Sequence, residues 1–309
     1  MQRTGAKKSQ AIFMAAAIIL ALAIVVIPVG STGAFASSGS SVLTPSTGSE
    51  SISGGAATVD YSNASEGYIM ASYSGSTRGK LQITKSGGTT YTYDLRSGYE
   101  VFPLTAGSGT YTVNAFENVH SNQYALLAGT SISVSLRNDQ LPFLYPNQYV
   151  SFNSGSDAVA LGAQLAAGET DPLKVVSGVY NWVTQNITYD TDKAAKVQSG
   201  SLTGYLPNVD SILASRKGIC FDYASLMAAM LRSQGIPTRL QVGYVSGGLY
   251  HAWLSVFTTD TGWINHAIYF DGARWTLMDP TFAAGSGQNS DAVMQFIGDG
   301  TNYSAVYIY

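Results

Sequence analysis

Hydrophobic and polar residues alternate along the first half of the chain and recur at helical spacing along the second. Tyr91-Thr92-Tyr93-Asp94-Leu95 and Tyr111-Thr112-Val113-Asn114-Ala115-Phe116 put an apolar side chain at every second position, the period of a strand with one buried face. Short runs rich in Tyr, Thr, Val and Ile occupy Glu66–Tyr73, Lys80–Lys85, Thr89–Leu95, Glu100–Leu104, Thr110–Phe116, Gln123–Leu127 and Thr130–Leu136. Turn formers such as Ser86-Gly87-Gly88 and Ala106-Gly107-Ser108-Gly109 separate them. The pattern predicts an antiparallel, Ig-like β-sandwich of about seven strands over residues 56–138.

The alternation stops around Asp139–Tyr149, where Pro142 and Pro146 mark a linker. Helical signals follow. Ser156–Ala167 is rich in Ala and Leu, and Asp171-Pro172 opens a second helix with an N-cap and a first-turn proline. Val175, Val176, Val179, Trp182 and Val183 recur at three and four, so Trp182 reads as core. After Cys220, strong helix formers run to Gly235 and Pro237, with Phe221, Ala224, Met227 or Ala228, and Leu231 on one buried face. Tyr250–Phe257 and Arg274–Met278 then read as strands. Residues 139–309 are therefore expected to form an α+β domain behind an all-β one.

The N-terminus departs from both patterns. Arg3, Lys7 and Lys8 precede an apolar run from Ala11 to Val29, and Ala34-Phe35-Ala36 supplies a small-residue processing site. Residues 1–36 read as a secretory signal peptide, which makes the remainder secreted or extracellular, with a cell-surface association compatible. An uncleaved anchor is the alternative, because the run approaches the roughly 20 residues that span a bilayer. No Cys lies near it to carry a lipid. Residues 37–55, rich in Ser, Gly and Thr, read as a flexible tether.

Composition narrows the function. Only 11% of residues are charged, against about 25% in an ordinary globular domain. The net charge is −3, and no cluster of Lys or Arg follows the N-terminus, so nothing marks a nucleic-acid partner. Any membrane contact is expected only through the signal segment. The chain has a single Cys and cannot form an intrachain disulfide. An exported lone thiol is either buried as a small hydrophobe or used.

The surroundings of Cys220 favour use. It stands at the first turn of a buried helix, with Gly218 letting the backbone turn tightly just before it. Helix-terminal amides and the macrodipole stabilise a thiolate there, and the same amides can hold an oxyanion. A thiol nucleophile also needs a base and an orienting group. Of the three histidines, His120 belongs to the sandwich and reads as a surface loop residue, while His251 opens a strand pattern. A second strand pattern ends at Asp279, and if both strands share one antiparallel sheet, His251 and Asp279 fall side by side.

Gly218-Ile219-Cys220-Phe221-Asp222-Tyr223-Ala224, Gly235-Ile236-Pro237-Thr238-Arg239, His251-Ala252-Trp253 and Trp275 through Asp279-Pro280-Thr281 resemble, in order, the successive motifs of the transglutaminase-like superfamily. The resemblance covers about Val175–Ala283. It implies a papain-like core with the nucleophile helix packed on an antiparallel sheet, and a triad of Cys220, His251 and Asp279. Relatives use an aromatic or amide side chain upstream of the Cys to help hold the oxyanion. Tyr205 is the candidate here, with core or lid packing as its alternative role, and Gly218 is a second candidate oxyanion or substrate contact. The interval from His251 to Asp279 is longer than in relatives, with Asp260–Ile268 read as an inserted hairpin carrying His266 at the rim.

The expected chemistry is attack on a carboxamide or peptide carbonyl through a thioester, resolved by an amine (cross-linking transfer) or by water (peptidase or amidase). The substrate is then a protein or peptide, cell-surface or cell-wall peptide included. No cofactor is called for, and no acidic loop has calcium-ligand spacing. The alternative is a non-catalytic extracellular binding or scaffold protein with a degenerate copy of this domain.

Overall fold

The computed structural model describes residues 42–245, 248–265 and 303–309, together with the strand backbone of Ile268–Phe270 and Trp275–Leu277. The signal segment, His266 and Asp279 lie outside the described residues.

The N-terminal part is built of two four-stranded antiparallel sheets. β1 (Ser51–Gly54), β2 (Ala57–Asp60), β3 (Tyr68–Tyr73) and β6 (Tyr99–Pro103) form one, in the order β1-β2-β3-β6. β4 (Gly79–Lys85), β5 (Thr90–Leu95), β7 (Gly109–His120) and β8 (Gln123–Val134) form the other, in the order β5-β4-β7-β8. The alternating residues do what the period dictates: Leu81, Ile83, Tyr93, Tyr111, Val113 and Ile132 are buried together with Val59, Ile69, Ala71 and Phe102 of the first sheet.

Two details differ from the pattern. Gln123–Leu127 and Thr130–Leu136 are not separated by a turn; they are one continuous strand, β8. The pairing with β7 shifts register between Ala115 and Phe116, because Leu127 is the extra residue of a bulge between Leu126 and Ala128. Ser51–Gly54, within the stretch read as a tether, pairs with β2 from Ser51↔Asp60 to Gly54↔Ala57. The joint between the two parts is packed, with Leu141, Pro142 and Phe143 all buried.

The C-terminal part contains α1 (Asp157–Leu165), α2 (Pro172–Asn186), β9 (Thr188–Tyr189), α3 (Thr191–Gln198), α4 (Val209–Ser215), β10 (Lys217–Gly218) and α5 (Cys220–Ser233). Strands β11 (Thr238–Val245), β12 (Leu249–Thr258), β13 (Gly262–Asn265), β14 (Ile268–Phe270), β15 (Trp275–Leu277) and β16 (Ser304–Ile308) follow. As its sequence signals, α2 starts where the Asp171 carboxylate accepts the Leu173 N–H at 2.9 Å, with Pro172 in the first turn.

Helix α5 is the centre of this part. It packs on β11 and β12 from one side and on α1, α2 and α4 from the other. Sequence spacing gives it a single buried stripe, yet every residue from Asp222 to Ser233 is buried, because a sheet and a helical layer enclose it. The sheet order is β13-β12-β11-β16, antiparallel throughout. Mixed helices and antiparallel sheet behind a β-rich N-terminal part make the fold α+β.

Candidate functional site

Cys220 is the first residue of α5 and is partly exposed. The strand β10 delivers it: Lys217 and Gly218 pair in parallel with Thr188 and Tyr189 of β9, and the chain then enters the helix through Ile219 in extended geometry. Ile219 has no side-chain acceptor and cannot cap the helix. The reciprocal bond is made from inside, where the Asp222 carboxylate reaches back to accept the Ile219 N–H at 2.8 Å. The amides of the first turn stay available at the thiol end.

Gly218 is needed for space, which differs from the tight-turn role its sequence position implies. Its backbone is not in the left-handed region, but a Cβ added there would lie 2.6 Å from the Cβ of Asp222. The Asp222 side chain fills the room that the missing methyl leaves.

Asp222 was not singled out by sequence reasoning, yet it is fully buried. Its carboxylate also accepts Lys193 Nζ at 2.8 Å and the Tyr205 hydroxyl. Lys193 donates to Tyr205 as well, at 3.0 Å, and lies 4.8 Å from the centroid of its ring. Burial alone pulls the Lys193 ammonium down, but the Asp222 carboxylate and the Tyr205 hydroxyl outweigh it and hold the ammonium above its ordinary value. The Tyr205 hydroxyl is pushed up to about 12, by burial and then by Asp222. Tyr205 thus stands within the network behind Cys220, and its one proton is directed at a carboxylate rather than offered to an oxyanion. The sequence signal for this network was an acid at the third helical position of an otherwise apolar helix.

His251 sits near the start of β12, almost completely buried. It pairs in register with Gly243 of β11 and shares a face of the sheet with Trp253, the two rings lying 6.3 Å apart and nearly parallel. Tyr303 closes against both, at 6.4 Å from His251 and 5.1 Å from Trp253. Its chain neighbours Tyr250 and Ala252 lie on the other face, where Ala252 joins the core around α5.

Tyr250 links this strand to the thiol. Burial raises its hydroxyl first, then the neighbouring Tyr307 and Tyr244 hydroxyls, and the charge of a Cys220 thiolate adds to the same shift. Helix α5, which begins at Cys220, packs on β12, on the side where Ala252 joins the core; His251 lies on the opposite face of that strand, with Trp253 and Tyr303. Tyr250 and Tyr244 are half exposed cross-strand partners with ring centroids 5.3 Å apart.

Asp279, the third expected member, lies outside the described residues. The strand that leads to it, β15, pairs with β14, whereas β12 has β11 and β13 as its neighbours. The segment read as an inserted hairpin supplies β13, which adds a strand to the main sheet. Among the described residues no three His, Cys, Asp or Glu side chains converge in a way that could hold a metal ion.

Comparison with known proteins bears on the same region. The family model described as the transglutaminase-like superfamily matches residues 159–280. A UPF0252 protein of Methanocaldococcus jannaschii is 35% identical over 98 residues, covering 29% of this chain and 28% of that protein. The protein-glutamine gamma-glutamyltransferase of Pseudomonas aeruginosa is 27% identical over 109 residues, covering 31% of this chain and 14% of that one. The chain thus spans less than a third of either curated relative. Among solved structures, red sea bream transglutaminase aligns with a TM-score of 0.29 at 15% identity, over 74% of this chain and 53% of that one.

Proposed function

We propose that the protein is a thiol enzyme acting on amide or peptide bonds, with Cys220 as nucleophile and with His251 and Asp279, the positions that match the family's motifs, as base and as the group that orients the imidazole; the match of residues 159–280 to the transglutaminase-like family model supports this reading. The observation that carries this reading is the placement of the chain's lone thiol. Cys220 is partly exposed at the first position of a 14-residue helix that packs on β12, the strand bearing His251. A cysteine retained only for packing belongs among the fully buried positions that follow it on the same helix.

In the proposed reaction His251 takes the Cys220 proton, and the thiolate forms a bond to the carbonyl carbon. The tetrahedral oxyanion is held by first-turn amides of α5. The C–N bond then breaks, the amine or ammonia leaves with the proton from the imidazolium, and a thioester remains. An amine or a water resolves the thioester and regenerates the thiol. The N-terminal charged and apolar pattern supports export, which places protein or peptide substrates outside the cell.

Alkylation of native protein with iodoacetamide at mildly acidic pH tests the assignment. Cys220 is expected to react at least about tenfold faster than a free thiol of ordinary pKa, and His251→Ala to abolish the advantage. A thiol no faster than the free one sinks the reading. In that event the non-catalytic alternative holds, and Cys220→Ala keeps whatever activity the wild type has.

A further inference from the structure

The buried carboxylate of Asp222 stands two residues after Cys220 and has no place in the proposed reaction. Its surroundings are built around it. Asp222 accepts three donors: the Ile219 amide at the entrance to α5, Lys193 Nζ from α3, and the hydroxyl of Tyr205 from the segment joining α3 to α4. Lys193 is itself delivered from the same joint, because Asp190 accepts the Lys193 N–H at 2.9 Å while its own N–H bonds the Gly218 carbonyl at 2.9 Å. The result is a closed ring of contacts from Gly218 through Asp190, Lys193 and Asp222 back to Ile219, and Cys220 is the next residue along the chain.

Two consequences follow for the thiol. The ring fixes the backbone from which the Cys220 side chain projects. It also puts a buried acid in the same helical turn as a group that must become an anion, and a like charge in that turn opposes ionisation. The carboxylate has no exposed surface, and Lys193 is the cation paired with it.

We propose that Asp222 and Lys193 act together as positioning residues for Cys220: the carboxylate locks the turn that presents the thiol, and the ammonium cancels the carboxylate's charge so that a thiolate can form beside it. Tyr205 is the third member, tying the segment between α3 and α4 to the same carboxylate. This rests on the reading of Cys220 as nucleophile.

The test is the pH profile of Cys220 alkylation by iodoacetamide in the full chain, with unfolding midpoints measured in parallel. The titratable groups on the elements packed around the start of α5 are Tyr250 and His251 of β12, on opposite faces of that strand, with Tyr205, Lys193 and Asp222 in the ring, and only the last two are varied in charge. Lys193→Met leaves the acid uncompensated and is expected to slow alkylation about tenfold at mildly acidic pH, moving the profile upward by about one unit. Lys193→Arg, which keeps the charge, restores most of the rate. The double variant Lys193→Met with Asp222→Asn removes both charges and returns the profile toward that of the wild type, even where its stability is lower than that of Lys193→Met alone. Tyr205→Phe, which keeps the ring beside Lys193, changes the profile by less than Lys193→Met.

A Lys193→Met profile that overlays the wild type, or a double variant as slow as the single, overturns the proposal and leaves the ring a purely structural one. A wild-type thiol of ordinary reactivity is a different result, and it removes the nucleophile reading itself. Lys193 is partly exposed, so Lys193→Met is expected to fold; should it fail, Lys193→Gln carries the same comparison.

Discussion

The ring of Tyr149 lies 5.6 Å from that of Phe221, the residue directly after Cys220. Tyr149 also packs, with tilted rings, against Tyr309 at 4.2 Å and Tyr93 of β5 at 5.8 Å. A chain of aromatic contacts therefore runs from the β-sheet part of the molecule to the start of the nucleophile helix. Tyr91 extends it to Tyr307 and Tyr309, and the Ile308 N–H donates to the Tyr91 hydroxyl at 3.2 Å. The apolar core is correspondingly continuous across both parts.

Tyr149→Ala is expected to cost about 2 to 3 kcal/mol, somewhat below a fully buried aromatic because Tyr149 keeps some exposure. Tyr149→Phe keeps the ring and loses only the hydroxyl, and should cost about 1 kcal/mol or less. Urea unfolding of both variants checks this, with a single transition expected in each. Two separated transitions in the wild type would show that the aromatic chain does not couple the parts.

Gly218→Ala tests the fit of the helix entrance. The new methyl would meet the Cβ of Asp222, which is no flexible side-chain end, so the first turn of α5 must move. A loss of about 1 to 3 kcal/mol is expected, together with slower alkylation of Cys220. Gly235→Ala is the control. Its strain comes from a left-handed backbone with open space around it, so it should lose about 1 kcal/mol and leave the thiol unaffected. Equal effects of the two variants on the thiol would exclude a specific fit at Gly218.

Much of this architecture was readable in the chain, and the exceptions have physical causes. The strand period placed Tyr93, Val113 and Leu81 in the core, and the Asp171-Pro172 start of α2 was explicit. Helices α3 and α4 were not called, because Thr191–Gln198 is polar and buries no residue, while Val209–Ser215 is only two turns long. Their side-chain caps, Asp190 and Asn208, were the available signals. β1 hid in a Ser/Gly stretch because its pairing with β2 relies on backbone bonds more than on apolar side chains. At the site, Cys220 and His251 stood out because such residues are scarce here. Asp222 and Lys193 did not, because an ion pair joining residues 29 apart leaves no periodic trace.

Alkaline pH should unfold the protein through its tyrosines. Burial, before any neighbouring charge, raises Tyr145 and Tyr149 from the ordinary 10.0 to about 12, and pushes Tyr93 and Tyr309 well above it. The folded state keeps protons that the unfolded chain releases. The stabilisation is complete below about pH 10 and is lost as pH rises through the folded values. Stability should therefore fall between about pH 10 and 12, with tyrosinate absorbance appearing in step with unfolding. Absorbance that rises with the ordinary tyrosine midpoint in the folded protein would contradict the packing described.

Arg232 opposes that trend and gives the sharpest test of the core. It is 1% exposed and donates to main-chain oxygens from three places: Thr238 at 3.0 and 2.8 Å, Tyr145 at 2.8 Å and Tyr309 at 2.8 Å. Burial lowers its guanidinium to about 9. A cation with a folded pKa below its unfolded value destabilises the fold while both states are charged, and that burden lifts as pH rises above about 9. The planar fork is retained because one side chain clasps the joint, the start of β11 and the residue after β16 at once. Arg232→Ala leaves three buried acceptors with fewer partners and a large void, and is expected to cost about 3 to 5 kcal/mol. Arg232→Met, which fills the void without donating, should recover part of that loss, and the alkaline arm of the stability profile should steepen in both variants. A cost below about 1 kcal/mol for Arg232→Ala in denaturant unfolding would show that the three carbonyls are satisfied without it.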